Sequence, residues 1–295
     1  MNPNDSLPNV GEVLPGEWVP LKVDLAAASD QGYVRENNED SYLLMRFGRF
    51  LERISTNLDE RFIEQNYNLT GYGLLVADGM GGMAGGEVAS RLTLSKLIEL
   101  IIETTDWTLA LKRHDDVKNV MKRMTKRFFQ VDEILKEEAS NDKTLRGMGT
   151  TLTVAGVLGS DLVIGHIGDS RAYLFREDRL MQLTTDHTLA QALIDAGVAN
   201  SGDAAPRSMR HVLTAAIGSL DHRIEPQVQH FRLTPGDQLL LCTDGLTEMV
   251  DDDLIADLLR EGGSSQNTCQ ALIDLALSGG GIDNITVALA RFSTP

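Results

Sequence analysis

Four β-type runs, Thr150–Leu158, Leu162–Ile167, Arg171–Arg176 and Leu180–Leu183, follow one another with only a few residues between them. Connections that short allow antiparallel neighbours and exclude the long crossover that a parallel pair needs. A further run, Val228–Leu233, meets Gln238–Thr243 through the turn Thr234-Pro235-Gly236-Asp237, and a last strand is expected at Asn284–Phe292. Helical spacing of apolar residues predicts helices over Glu87–Glu103 and Asp116–Glu138, the second placing Val117, Val120, Met121, Met124, Phe128, Val131 and Leu135 on one face. Two more follow near Asp252–Arg260 and Gln266–Leu277. Helices grouped in pairs and strands grouped in hairpins point to α+β layers, not to alternating βαβ units.

The 295 residues, 42% of them hydrophobic, suffice for one large domain. Pro3, Pro8, Pro15 and Pro20 make residues 1–20 a flexible N-terminal extension, and 21–295 reads as one continuous domain without repeats. Arg46 to Thr70, polar but dotted with Phe47, Phe50, Leu51, Ile54 and Phe62, is expected to be an insertion of partly helical, amphipathic character. The 43 acidic residues outnumber 27 basic ones for a net charge of −16, which argues against a nucleic-acid partner. Lys112, Arg113, Lys118, Lys122, Arg123, Lys126 and Arg127 read as a solvated helix face. Cys242 and Cys269 lack partners at metal-ligand spacing, no secretory n-region is present, and no apolar run reaches the roughly twenty residues that span a bilayer. A cytoplasmic monomer, away from membranes, is the expectation.

Aspartates recur where strands end. Gly73–Ala77 runs into Asp78-Gly79, Val163–Gly168 into Asp169, and Leu239–Thr243 into Asp244-Gly245, while Asp283-Asn284 precedes the last strand and Asp40, beside Glu39, precedes Tyr42-Leu43-Leu44. Asp-Gly alone is an ordinary turn dipeptide, but five such carboxylates on one sheet edge would repel one another and demand protons or cations. Oxygen ligands without convergent His or Cys suit Mg²⁺ or Mn²⁺. The glycine-rich run Gly79 to Gly86 fits a dinucleotide fingerprint only loosely, since Asp78 would face the pyrophosphate and Glu99 and Glu103 fall inside the next helix. Ser170, with His166, His187 or His211 as base, invites a hydrolase reading that fails at Ala172, where a nucleophile elbow has glycine. Arg35 is suited to gripping a phosphate, with a salt bridge to Glu36 or Glu39 as its alternative.

Taken in order, Ser29-Asp30, Asn37-Asn38-Glu39-Asp40, Asp78-Gly79-Met80-Gly81-Gly82, Gly149-Thr150-Thr151, Gly168-Asp169-Ser170-Arg171, Thr185-Asp186-His187, Cys242-Thr243-Asp244-Gly245 and Asp283-Asn284 resemble the bacterial-type PP2C (PPM) family of metal-dependent serine/threonine protein phosphatases, over residues 22 to 292. The resemblance implies an α-β-β-α sandwich of two antiparallel sheets flanked by helix pairs, with a flap at residues 185–215. It implies hydrolysis of phosphoserine and phosphothreonine in proteins by a metal-bridging hydroxide, in opposition to bacterial Ser/Thr kinases. Carried over by position, Asp78 bridges two metals, the Gly79 carbonyl and Asp40 serve the second, and Asp244 and Asp283 hold the first. Glu39 and Asn284 belong to the outer shell, Asp169 with Asp244 holds a weaker third ion, and Arg35 binds the phosphate. The ions would be Mn²⁺ or Mg²⁺. Relatives often carry a histidine in or just after the Asp-Gly-x-Gly-Gly motif, whereas Met80 and Met83 stand here and transfer no proton. That departure supports the alternative of a non-catalytic sensor of the same fold, while the complete carboxylate set opposes it. His187 and His211 are expected to organise the flap structurally.

Overall fold

The structure, a computed structural model, describes residues 21–52, 55, 66–81, 85–103, 114–198, 207–219 and 224–295. In chain order they form β1 (Lys22–Asp30), β2 (Asp40–Glu52), β3 (Asn66–Met80), α1 (Gly85–Glu103), α2 (His114–Asn141), β4 (Gly149–Thr150), β5 (Leu152–Leu158), β6 (Asp161–Ile167), β7 (Arg171–Arg176), β8 (Arg179–Gln182), α3 (Leu189–Asp195), α4 (Arg207–Arg210), β9 (Gln227–Arg232), β10 (Gln238–Cys242), α5 (Asp244–Thr247), α6 (Asp252–Glu261), α7 (Ser265–Ser278) and β11 (Ile285–Ser293). One sheet has the order β1-β11-β10-β7-β8 and the other β2-β3-β5-β6-β9, with β4 beside β3. Every pairing is antiparallel, as the short connections require.

The period-two alternation of each strand sorts its side chains into layers. On β10, Leu239 and Leu241 point between the sheets, while Leu240 and Cys242 point outward beneath α6 and α7. On β3, Leu74 and Val76 enter the inter-sheet layer, whereas Leu75 and Ala77 meet Leu94 and Leu97 of α1 and Phe128 and Leu135 of α2. Both faces of these central strands are covered, which is why they read as continuous apolar runs. Each fully buried Leu or Val contributes about 1.5 to 3 kcal/mol through burial. The result is the expected α-β-β-α sandwich.

Arg46–Thr70 departs from expectation. Its described ends are the arms of a β-hairpin, with Arg46 opposite Tyr72 and Glu52 opposite Asn66. Cross-strand pairing overrides the local amphipathic pattern, because Phe47 can lie across the ladder where Gly71 offers no side chain; a Cβ there would stand 2.2 Å from its ring. The inner part of that stretch and residues 1–20 lie outside the described residues. The basic face of α2 also divides: Lys118, Lys122 and Lys126 are exposed as expected, but Arg123 and Arg127 turn inward and are only partly accessible. Apolar Val120 and Met124, each three residues before one of the arginines, face the sheet, so the register of the apolar stripe carries these two arginines to its border.

Candidate metal centre

Antiparallel pairing gathers the strand-end aspartates on one edge. Asp40 opens β2 directly opposite Asp78 near the end of β3. Asp169 follows the end of β6, and Asp244 and Asp283 flank the same end of the β10–β11 pair, one just after and one just before its strand. The two sheets are joined there through Thr243, whose Oγ1 donates to Asp40 Oδ2 at 2.8 Å and accepts from the Thr286 backbone N–H at 2.9 Å. Asp78 is fixed by its backbone: its N–H donates to Thr151 Oγ1 at 2.9 Å, and its carbonyl accepts from Thr150 Oγ1 and the Thr151 N–H at 2.8 and 2.9 Å.

Asn284 organises the neighbouring loop. Its Oδ1 accepts from the Glu39 N–H at 2.8 Å, and its Nδ2 donates to the carbonyls of Gln31 and Asn37 at 2.8 and 2.9 Å. Gly32 adopts φ 76°, and a Cβ there would come within 2.3 Å of the Asp283 carbonyl oxygen, so the loop must be glycine where it crosses the Asp283 segment. Gly79 is equally tight: its N–H donates to the Glu39 carbonyl at 3.2 Å, and a Cβ would meet the Gly86 carbonyl at 2.1 Å. Asn284→Ala strands three backbone groups at a largely buried position, each costing about 1 kcal/mol or more when unsatisfied. We expect a stability loss of about 2 to 3 kcal/mol by urea denaturation and displacement of Glu39 and Arg35 from the edge. Wild-type stability in the variant would remove Asn284 from this role.

The edge is electrostatically strained. Burial foremost, then Asp40, Asp244, Asp169 and Asp283 in turn, push the Asp78 carboxyl well above the usual carboxylate range. Burial lifts Asp40 to about 7, although hydrogen bonds from Thr286 and Thr243 oppose it. Asp244 is raised to about 6, by burial first and then by Asp283 and Glu248. Asp169 is also raised well above its ordinary value, by burial and then by Asp244 and Asp186. Asp40 Oδ1 and Asp244 Oδ1 are buried with no hydrogen-bond partner among the described residues. Buried anionic oxygens without partners, amid mutually repelling carboxylates, fit hard divalent cations.

Several side chains sit elsewhere than expected. Arg35 pairs with Asp283, Nη2 to Oδ2 at 2.6 Å, and not with Glu36 or Glu39. His211 reaches the centre: among the described residues, His211, Asp244 and Glu248 form one group whose ligand atoms lie within 4.8 Å of one another, and His211 Nδ1 is 2.5 Å from Glu248 Oε1. The available signal was Glu248, four residues after Asp244 and so on the same helical face; His211 is brought by the flap alone. His187 keeps its structural part, its Nδ1 accepting from the Gly168 N–H at 3.0 Å. His166 is buried, held at 2.9 Å from Thr153 Oγ1, and pushed down to about 3, chiefly by burial. Ser170 is fully buried against Thr151 Oγ1 at 2.8 Å, which withdraws it as a nucleophile.

Residues 62–275 match the family described as protein phosphatase 2C. The chain is 34% identical over 273 residues to the serine/threonine protein phosphatase PstP of Mycobacterium tuberculosis, covering 92% of this chain and 45% of PstP. It is likewise 34% identical over 266 residues to the serine/threonine phosphatase stp of Listeria welshimeri, covering 89% of this chain and 93% of that protein. The chain therefore spans about half of the mycobacterial relative and nearly all of the listerial one. Among solved structures, the catalytic domain of PstP in complex with two manganese ions superimposes with a TM-score of 0.70 at 33% identity, covering 92% of this chain and 99% of that one.

Proposed function

The chain belongs to the protein phosphatase 2C family, and on that premise we propose that it hydrolyses phosphoserine and phosphothreonine in proteins with the help of divalent ions held at its carboxylate edge. The observation that carries this is the pair of partnerless buried oxygens, Asp40 Oδ1 and Asp244 Oδ1, within a set of aspartates lifted far above their ordinary range. In this reading Asp78, Asp244 and Asp283 would hold a first ion, Asp78, Asp40 and the Gly79 carbonyl would hold a second with Glu39 behind them, and Asp169 with Asp244 would hold a weaker third. The ion is Mn²⁺ or Mg²⁺, and the two-manganese complex of PstP supports the first. Bound there, such ions lower the pKa of water to a nucleophilic range and neutralise phosphoryl oxygens.

The chain's own residues do the rest. Arg35, about half exposed and held by a single partner, is free to exchange Asp283 for a phosphate at the rim, a charge-assisted contact with two parallel N–H donors. Its guanidinium stays protonated, the Asp283 hydrogen bond raising its pKa further. Met80 offers no proton to the leaving alkoxide. The flap is anchored at the centre by backbone bonds from the His187 N–H to the Gly168 carbonyl and from the Thr214 N–H to the His187 carbonyl, at 2.7 and 2.8 Å. The phosphatases among its relatives do not favour the non-catalytic sensor.

The partners in this reading are phosphorylated proteins and the Ser/Thr kinase that marks them, met by a monomer in the cytoplasm. No described helix is long and apolar enough to cross a membrane. The test is phosphate release from a phosphothreonine peptide with Mn²⁺ or Mg²⁺, beside p-nitrophenyl acetate. Release from the peptide alone is expected; no release with either ion would overturn the reading.

A further inference from the structure

Between the outward face of the β2-β3-β5-β6-β9 sheet and the α1–α2 pair lies an apolar cavity of about 110 Å³. Its cause is in the sequence. Gly73 of β3 and Gly156 of β5 are register partners, so two neighbouring positions of this face carry no side chain. Met45 folds over Gly73, and Met124 of α2 leans onto Gly165 of β6, each filling the place of a Cβ to within 2.6 Å. Among the described residues nothing covers Gly156: a Cβ there would meet no atom nearer than the Val163 carbonyl oxygen, at 3.9 Å. Ile101 of α1 and Val120 of α2 complete the apolar wall.

Arg123 and Arg127, one turn apart on α2, also line the cavity. Arg123 Nη2 is buried and has no hydrogen-bond partner. Burial, then the neighbouring Arg123, lowers the Arg127 pKa. A buried guanidinium nitrogen without an acceptor is costly, and a like charge one turn away adds to the cost, so Arg123 calls for an anion. Asp161 also lines the cavity but is already taken by His230 Nε2 and Arg232 Nη1, at 2.8 and 2.9 Å. An anionic head at Arg123 and an apolar recess beyond it describe one ligand chemistry.

We propose that this cavity binds an unbranched aliphatic carboxylate, its head on Arg123 and its tail over Gly156. Against the ~150 Å³ cavity that accepts benzene, this volume suits a tail of roughly four to six carbons within it. The site lies on the helical side of the sheet, and it is independent of the phosphatase reading.

The probe is octanoate, titrated calorimetrically against the full chain, with acetate and octylammonium as controls. Saturable binding of octanoate alone is expected, with a rise in Tm at increasing octanoate. Arg123→Ala should weaken it at least tenfold, and Gly156→Val, whose Cβ would come no closer than 3.9 Å to the Val163 carbonyl oxygen, should abolish it while phosphopeptide hydrolysis is unchanged. If the valine variant is unstable, Gly156→Ala should weaken octanoate binding in its place. No binding to the wild type, equal binding of octylammonium, or affinity unchanged in both the Arg123 and Gly156 variants would each overturn the proposal.

Discussion

Asp78→Asn is expected to lower kcat/KM on a phosphothreonine peptide by about a thousandfold or more, since even outer partners of metal ligands are worth ~10- to 100-fold and Asp78 is assigned to two ions at once. The same substitution should raise the Tm of the metal-free protein. The Asp78 carboxyl is disfavoured as an anion by burial and by four neighbouring aspartates, and a neutral amide of the same shape removes that repulsion while the backbone bonds to Thr150 and Thr151 persist. Opposite shifts in activity and stability separate a strained functional centre from a structural carboxylate, whose loss would lower the Tm. Calorimetry should show both tight metal sites weakened. An active variant, or one destabilised without metal, would remove Asp78 from the centre.

Removing the metal should abolish turnover and invert the ordinary dependence of stability on pH. Asp40 and Asp244 have folded values raised to about 7 and about 6, above the value of 3.8 for an unstrained aspartate. Such groups bind protons more tightly when folded, so their stabilisation is complete below the unfolded value and is lost as pH rises through the folded ones. The metal-free Tm should therefore climb as pH falls from 8 towards 5. Each unit of displacement on one carboxyl is worth about 1.4 kcal/mol, and 1 kcal/mol moves the Tm of a large domain by about 2 to 4 °C. With saturating Mn²⁺ the trend should reverse, because cations compete with protons for the same oxygens. Identical thermal profiles with and without Mn²⁺ across this range would contradict the cation assignment.

Much of this was legible beforehand, for physical reasons. The strands were visible because both of their faces are buried and their turns are short; β7 falls on Arg171–Arg176 as expected, and the two long helices lie within three residues of their expected ends. The aspartates were visible because each terminates an apolar run, so no long-range information was needed to see them. What escaped depends on contacts between distant segments. Nothing local says that Phe47 lies over Gly71, that Arg35 reaches Asp283, or that a flap brings His211 to Glu248. Arg123 and Arg127 look like their exposed lysine neighbours in composition and differ only in their angle on the helix.

The strand that heads the carboxylate edge, β11, is the last strand of the described residues and yet sits inside its sheet, bonded to β1 on one side and β10 on the other. Asp283 and Asn284 stand at its head, and Asp283 meets Arg35 across 248 residues of chain. During synthesis, then, β1 and β10 leave the ribosome before the strand that joins them, β10 already able to pair with β7, and the centre has no floor until β11 slides between them. Such long-range closure is slow relative to helix formation. A product that stops before residue 283 lacks Asp283 and Asn284 together with the core strand, so two of the residues at the carboxylate edge and the strand that carries them are gained or lost as one unit.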